Sequence, residues 1–350
     1  MKKMTWLSLA LAAVLLVAGC GAREGNGGTT PENNTGGAPA APTEETKTYS
    51  IGISQIVEHP SLDATRDGFL AALKDAGIEE GKNLKVDFNS AQGDPTNNLS
   101  IAQKLASAKN DLILAIATPS AQAVAKNVTD TPVLFAAVTD PLDAKIVTDL
   151  EKPGGNISGA SDTNPEAITK LMDFIAEHLP EVKNVGLVIN EGEPNAVIMA
   201  AKAEEELAKH DIKLIRAAVT NTSEVKQAAE SLAGRVDAFY ITLDNMVVSG
   251  VDAILQIAQD KKIPLFSSDR DTVENGAVAT VGFKYYDHGY QVGQMAADIL
   301  LNGANPGDMK VTLPDKLDVI INLSAAEQQG VVVTDAMKNS VQDPEENLIP

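Results

Sequence analysis

Cysteine is almost missing from this chain of 350 residues, with Cys20 the only example. Disulfides and cysteine-held metal clusters are thereby excluded, and the core alone must carry stability. Tryptophan is as scarce: Trp6 is the single one, so no indole beyond it is available as a stacking platform. Basic residues are outnumbered, 28 Lys and Arg against 48 Asp and Glu, for a formal charge of -20. Nothing is left over to neutralise a phosphate backbone, which argues against nucleic acid as a partner. The acidity reads instead as a solvated surface. The four histidines, His59, His178, His210 and His288, form no ligand spacing such as two on one helix turn, so neither a metal nor another cofactor is expected. The chain has no Gly-x-Ser-x-Gly elbow and no phosphate-gripping glycine loop after a strand, and it is read as a non-enzyme.

An apolar run from Trp6 to Val17 follows Lys2 and Lys3 and ends in Ala18-Gly19. It is too short to span a bilayer as a stable helix, and it reads as a cleavable export signal over 1–19. Val17-Ala18-Gly19-Cys20 resembles the lipobox of bacterial lipoproteins, which implies that Cys20 is acylated and becomes the mature N-terminus. Residues 20–47 are mostly Gly, Asn, Thr, Pro, Ala and Glu, the composition of a flexible tether. Two or more acyl chains, at about 0.8 kcal/mol per buried methylene, suffice to hold a protein on a membrane. The expected place is the extracytoplasmic face of the cell membrane.

From Tyr49 onward the chain is long enough for two lobes. Short apolar strands are expected at Tyr49–Ser54, Leu84–Asn89, Leu112–Ala117 and Val133–Ala137, with helices such as Ala64–Ala76 and Asn98–Ala108 between them. A second round repeats the pattern at Val185–Ile189, Lys213–Ala217, Ala238–Thr242 and Leu265–Ser267. Strand alternating with helix implies an α/β fold of two doubly wound parallel-sheet lobes. The rounds align: Ile51-Gly52-Ile53 with Val185-Gly186-Leu187, Asp111 with Asp237, and Thr131-Pro132 with Ile263-Pro264, each pair about 126 to 134 residues apart. The chain is an internal duplication.

Ligands of open parallel sheets gather beyond the carboxyl ends of the strands, where loops and helix N-termini present free N–H groups. Those ends here carry a dense polar set. The first round has Ser54, Gln55 and His59, then Thr118 and Ser120, then Thr139 and Asp140; the second has Asn190, Asn195, Asp244, Asn245 and Asp269. Each alone has helix capping or a turn as its alternative role. As a set at matching positions they are the candidate ligand-binding residues.

The segments ISQIVEHPSLDATRDGF, AIATPSAQA, VTDP, KPGGNISGASD and GFKYYDHGYQVGQMAADIL, in that order, resemble the substrate-binding lipoproteins of ABC transporters grouped with the tryptophan-binding protein TrpX. The resemblance covers nearly all of Tyr49 to Val333. It implies a type I periplasmic-binding-protein-like fold with hinge strands joining the lobes, an aromatic amino acid as ligand, and a permease with its ATPase as partners. On that basis lobe one is expected at 48–160 plus 285–316 and lobe two at 161–284 plus 317–340. Asn156–Ser161 and Ala277–Phe283 would carry the first two crossings, and a strand pair around Lys316–Leu323 the last.

An amino acid needs hydroxyl or N–H donors for its carboxylate and an acidic acceptor for its ammonium. Ser54, Thr118, Ser120 and Thr139 are the expected carboxylate set, and Asp244 or Asp269 the ammonium partner. Phe283, Tyr285 and Tyr286 are candidate aromatic contacts, with core or hinge packing as the other role. A sugar- or nucleoside-binding protein of the same fold, and a ligand-sensing subunit without transport, are the competing readings. A monomer that closes on its ligand is the expected working unit.

Overall fold

The computed structural model describes residues 47–314 and 316–350. The expected signal at 1–19, the lipidation candidate Cys20 and nearly all of the 20–47 tether lie outside the described residues.

Lobe one opens with β1 (Tyr49–Gln55), α1 (Pro60–Asp75), β2 (Leu84–Ser90), α2 (Pro95–Ser107), β3 (Leu112–Ile116), α3 (Thr118–Asn127), β4 (Val133–Val138) and β5 (Ile157–Ser161). Its five strands are all parallel, in the order β2-β1-β3-β4-β5. Lobe two follows with α4 (Pro165–His178), β6 (Asn184–Ile189), α5 (Pro194–Ala208), β7 (Lys213–Ala218), α6 (Val225–Ala233), β8 (Ala238–Ile241), α7 (Asn245–Ser249), α8 (Val251–Lys261), β9 (Leu265–Ser267), α9 (Arg270–Glu274) and β10 (Ala279–Gly282). The chain returns to lobe one as α10 (Tyr285–Asn302), then ends on lobe two with β11 (Asp318–Asn322), α11 (Leu323–Gln328), α12 (Asp335–Asn339), α13 (Pro344–Asn347) and β12 (Leu348–Ile349).

The duplication is visible in the second sheet, whose order is β12-β11-β10-β9-β8-β6-β7. Its run from β7 through β6, β8 and β9 to β10 repeats lobe one strand for strand. Asp111 and Asp237 do the same work in each copy: Asp111 Oδ2 accepts from Ser50 N at 2.8 Å, and Asp237 Oδ2 accepts from Asn184 N at 2.8 Å. Both seal the start of a first strand. Six helices, α1 to α5 and α13, carry a proline in the first turn, where the missing N–H costs nothing and the fixed φ is already helical.

Buried strands read as continuous apolar runs because both sheet faces are covered. Alternate residues of β3 split between two clusters, Leu112, Leu114 and Ile116 on one side and Ile113 and Ala115 on the other. The same division holds in β8, with Ala238 and Tyr240 on one face and Phe239 and Ile241 on the other.

Two expectations are corrected at the C-terminus. The last crossing brings one strand rather than a strand pair, and β11 lies antiparallel to β10, so the second sheet is not wholly parallel. Lobe two also continues past residue 340: Ile321 pairs with Leu348 and Asn322 with Ile349.

Helices α1 and α10 of lobe one pack at backbone contact. A Cβ on Gly289 would stand 1.9 Å from Thr65 O, and one on Gly68 would stand 2.0 Å from Tyr286 O. This close approach fixes the start of α1 against the start of α10, and both starts reach the space between the lobes.

Candidate functional site

The carboxyl ends of the two sheets face one another across a narrow cavity closed down to about 10 Å³ of free space, room for about one water. Lobe one supplies His59, Ser61 and Leu62 from the start of α1, and Ala137 and Thr139 from the end of β4. Asp162 and Tyr285 enter where the first and second connections cross. Lobe two supplies Asn195 from α5, Leu243 and Asn245 from the β8 to α7 turn, Val248, and Asp269 after β9.

Five of the twelve ligand-binding candidates therefore line one cavity: His59, Thr139, Asn195, Asn245 and Asp269. The others stand around it. Ser54 and Gln55 are fully buried at the end of β1, and Gln55 Nε2 donates to Asp63 Oδ1 and Val57 O, both at 2.9 Å. Thr118 Oγ1 accepts from Thr139 N at 3.3 Å, and Ser120 Oγ donates to Asn98 Oδ1 at 3.2 Å. Asp140 and Asn190 are half-buried turn residues; Asp140 Oδ1 takes the N–H groups of Leu142 and Asp143 at 3.0 Å, and Asn190 Oδ1 takes that of Gly192 at 3.0 Å.

Asp244 and Asp269, the two candidates for an ammonium, differ sharply. Asp244 caps α7 and turns its carboxylate to main-chain donors, Asn190 N at 2.6 Å and Val247 N at 3.1 Å. It is not among the lining residues. Asp269 caps α9 by accepting from Thr272 N at 2.7 Å, yet it also lines the cavity, and its Oδ1 accepts from Ser61 Oγ of the opposite lobe at 3.1 Å.

Asp162 was not among the sequence candidates. It ends the first crossing, is buried, and accepts from the Tyr285 hydroxyl at 3.2 Å. Burial pushes its carboxyl up to about 6, against the pull of hydrogen bonds from Thr163 and Tyr285. Burial also raises Asp271, to about 7, with help from the charges of Asp269 and Glu274. Asp244 is raised first by burial and then by the charge of Glu193. Burial holds His59 below its usual range and so neutral, against the opposing charge of Asp269. No lysine or arginine lines the cavity; Arg270, though buried, turns to Asn347 Oδ1 and Glu346 O. The space is thus electronegative on one side and apolar at Leu62, Leu243 and Val248.

Of the three aromatic candidates, Tyr285 alone lines this cavity. Tyr286 is 44% exposed. Phe283 packs against Tyr285 and His288, at 5.0 and 5.5 Å between ring centroids, and so serves the hinge. His288 in turn accepts the N–H of Ala137 through Nε2 at 3.0 Å. That bond holds Ala137 at φ 53, in the left-handed region where a non-glycine residue needs support. A second missed residue is Glu193, which precedes Pro194 at the start of α5 and is buried behind Asn195 and Asn245.

Residues 50–343 match the family model described as ABC transporter substrate binding protein. A tyrosine-binding protein of Clostridioides difficile is 39% identical over 319 residues, covering 90% of this chain and 89% of that one. The structure of an ABC domain from Streptococcus pneumoniae in complex with L-Trp superposes with a TM-score of 0.79 at 31% identity, covering 85% of this chain and 99% of that one. The ligand-free, open structure of a Clostridium difficile substrate-binding protein gives a lower TM-score, 0.62, despite its higher identity of 38%, over 86% of this chain and 98% of that one. The present lobe arrangement is thus nearer to the L-Trp complex than to the open form. A glucose-galactose binding protein at 15% identity and a solute-binding protein with bound myo-inositol at 16% share the type I periplasmic-binding-protein fold and, at that distance, the fold alone.

Proposed function

The chain belongs to the family of ABC transporter substrate-binding proteins, and from that premise we propose that it captures an aromatic L-amino acid between its lobes for delivery to a membrane permease. The observation that carries the reading is the pairing of two carboxylates, Asp162 and Asp269, with the apolar side chains Leu62, Leu243 and Val248 in one cavity that no lysine or arginine lines. A carboxylate in low dielectric pairs strongly with an ammonium and poorly with anything anionic. The ligand's own carboxylate then falls to hydroxyl and N–H donors. Thr139 and the first-turn amides of α1 at Ser61 and Leu62 are the proposed donors, since helix N-termini favour anions. The apolar wall and the Tyr285 ring take the aromatic side chain.

Binding works through closure. His59 and Ser61 come from one lobe and Asn245 and Asp269 from the other, so a ligand touching both makes contacts that an open form cannot, and it shifts the hinge equilibrium toward the closed state. Anchoring completes the role: Cys20 is the proposed acylation site and 20–47 the proposed tether, leaving a monomeric binding unit at the extracytoplasmic surface beside its permease and ATPase. Among the described residues no helix is long and apolar enough to cross a membrane.

The test is a thermal scan of the refolded protein against amino acids, sugars and nucleosides. At a hundred times the dissociation constant a specific ligand raises stability by about 2.7 kcal/mol. A shift with tyrosine, tryptophan or phenylalanine and with nothing else is the expected result; a shift confined to sugars or nucleosides overturns the ligand assignment.

A further inference from the structure

Among the described residues, two buried polar atoms on the cavity wall have no hydrogen-bond partner: His59 Nδ1 and Asn195 Oδ1. Their residues are 8% and 3% exposed and come from opposite lobes. A buried polar group left unpaired is costly, so the chemistry of these two atoms says what is meant to meet them.

One buried carboxylate decides that chemistry. Glu193 Oε2 accepts from Asn245 Nδ2 at 2.6 Å and from Asn195 Nδ2 at 3.1 Å. A carboxylate only accepts, so both amides must point their nitrogens at it. For Asn195 this orientation is doubly fixed, because the same nitrogen also donates to Leu243 O at 2.7 Å. Asn195 Oδ1 is then an acceptor. In Asn245 it is the oxygen that faces lobe one, where His59 Nε2 approaches to 3.5 Å, at the outer limit of a hydrogen bond. Nε2 must carry the proton, and in a neutral imidazole the other nitrogen is an acceptor. Both orphan atoms therefore want a donor.

We propose that His59 and Asn195 form a donor-reading subsite, set by Glu193, which selects an aromatic amino acid whose ring carries an O–H or N–H, as in tyrosine or tryptophan, over phenylalanine. This rests on the aromatic amino acid reading above and narrows it. A phenol or indole carries one donor hydrogen, which the two acceptors share as a three-centre bond on closure, so recognition of the side chain is tied to the meeting of the lobes. Phenylalanine leaves both acceptors buried and unpaired, and a site built for a hydrogen bond rejects the analogue that lacks it. Glu193 is a positioning residue: it touches the two amides, not the ligand.

The experiment is calorimetric titration of the wild-type protein with L-tyrosine, L-tryptophan, L-phenylalanine and 4-fluoro-L-phenylalanine, the last nearly the size of tyrosine but without a donor. Tyrosine or tryptophan should bind roughly 10- to 100-fold tighter than either donorless ligand. In His59→Leu and Asn195→Leu that preference should collapse, with phenylalanine affinity kept or improved; Glu193→Gln should reduce it without abolishing phenylalanine binding. If the wild type holds all four equally, the aromatic reading stands and the donor subsite is wrong. If the variants lose all ligands in parallel, the two acceptors hold the common ammonium instead, and the proposal also falls. Binding of none of the four overturns the aromatic reading itself. Should either leucine variant fail to fold, Glu193→Gln, which leaves both acceptor side chains in place, carries the test, and equal affinity of the wild type for all four ligands still overturns the proposal.

Discussion

Ser61 and Asp269 belong to different lobes, yet the Ser61 hydroxyl donates to Asp269 Oδ1 at 3.1 Å, with both side chains buried. The start of α1 and the start of α9 thus meet over the cavity, and the same carboxylate caps α9 through Thr272 N. A single aspartate ties local helix geometry, lobe closure and the electronegative wall together.

Substitutions at Asp269 should separate those roles. Asp269→Asn keeps a capping acceptor, so stability should change little, whereas loss of the charge that faces a ligand ammonium should weaken binding by about 2 to 5 kcal/mol. Asp269→Ala should add a capping loss of about 1 kcal/mol. Titration calorimetry beside urea unfolding distinguishes the two; unchanged affinity in Asp269→Asn transfers the ammonium to Asp162.

Asp162 predicts a pH dependence of binding. With its carboxyl at about 6, a proton competes with the ligand ammonium below that value, so affinity should fall as pH drops, by up to about tenfold per unit. Protonation of His59 acts in the same direction, by adding positive charge opposite Asp269. Asp162→Asn should bind more weakly at pH 7.5 and flatten the profile between 6 and 4.5. The stability effect has the opposite sign. The folded protein holds this proton more tightly than the unfolded chain, so the contribution of Asp162 is present at low pH and lost as pH rises from about 4 through 6.

His288 makes the reverse contribution. Burial lowers it to about 4, so the folded state needs it neutral, and its share of stability is lost as pH falls from the unfolded value near 6.5 toward 4. The loss is on the order of 3 kcal/mol. Removing the acceptor in His288→Leu should also leave the Ala137 N–H unpaired at neutral pH, costing about 1 to 3 kcal/mol. Urea midpoints of wild type and variant between pH 7 and 4.5 check both: the gap should be present at neutral pH and narrow with acid.

Sequence patterns carried the framework because buried strands must be unbroken apolar runs and must start at fixed seals. Leu112–Ile116 and the matched Asp111 and Asp237 made the duplication readable. The short strand Leu348–Ile349 was not, since two residues show no period, and its place comes from pairing with β11. At the site, an aspartate at a strand end is a helix cap, a ligand group or both. Asp244 and Asp269 look alike in sequence, and only the packing of Asn190 against one and Ser61 against the other separates them. Asp162 and Glu193 stayed hidden for the same reason: each acts through residues distant in the chain, Tyr285 for one and Asn245 for the other.

The contact between α1 and α10 should be intolerant of any side chain. Gly289→Ala places a Cβ 1.9 Å from Thr65 O, backbone that cannot yield without parting the helices. A loss of roughly 2–3 kcal/mol is expected from overpacking, read as a lower urea midpoint, with weaker ligand binding because His59 and Tyr285 move apart. A variant as stable as wild type would show that the helices slide freely.

The most direct test of the central claim is a crystal structure with L-tyrosine bound. The account predicts the amino acid between the lobes, its ammonium within hydrogen-bond distance of Asp162 or Asp269 and its ring against Leu62, Leu243 and Val248. A tyrosine bound outside this cavity, or with its carboxylate turned toward those two aspartates, would contradict it.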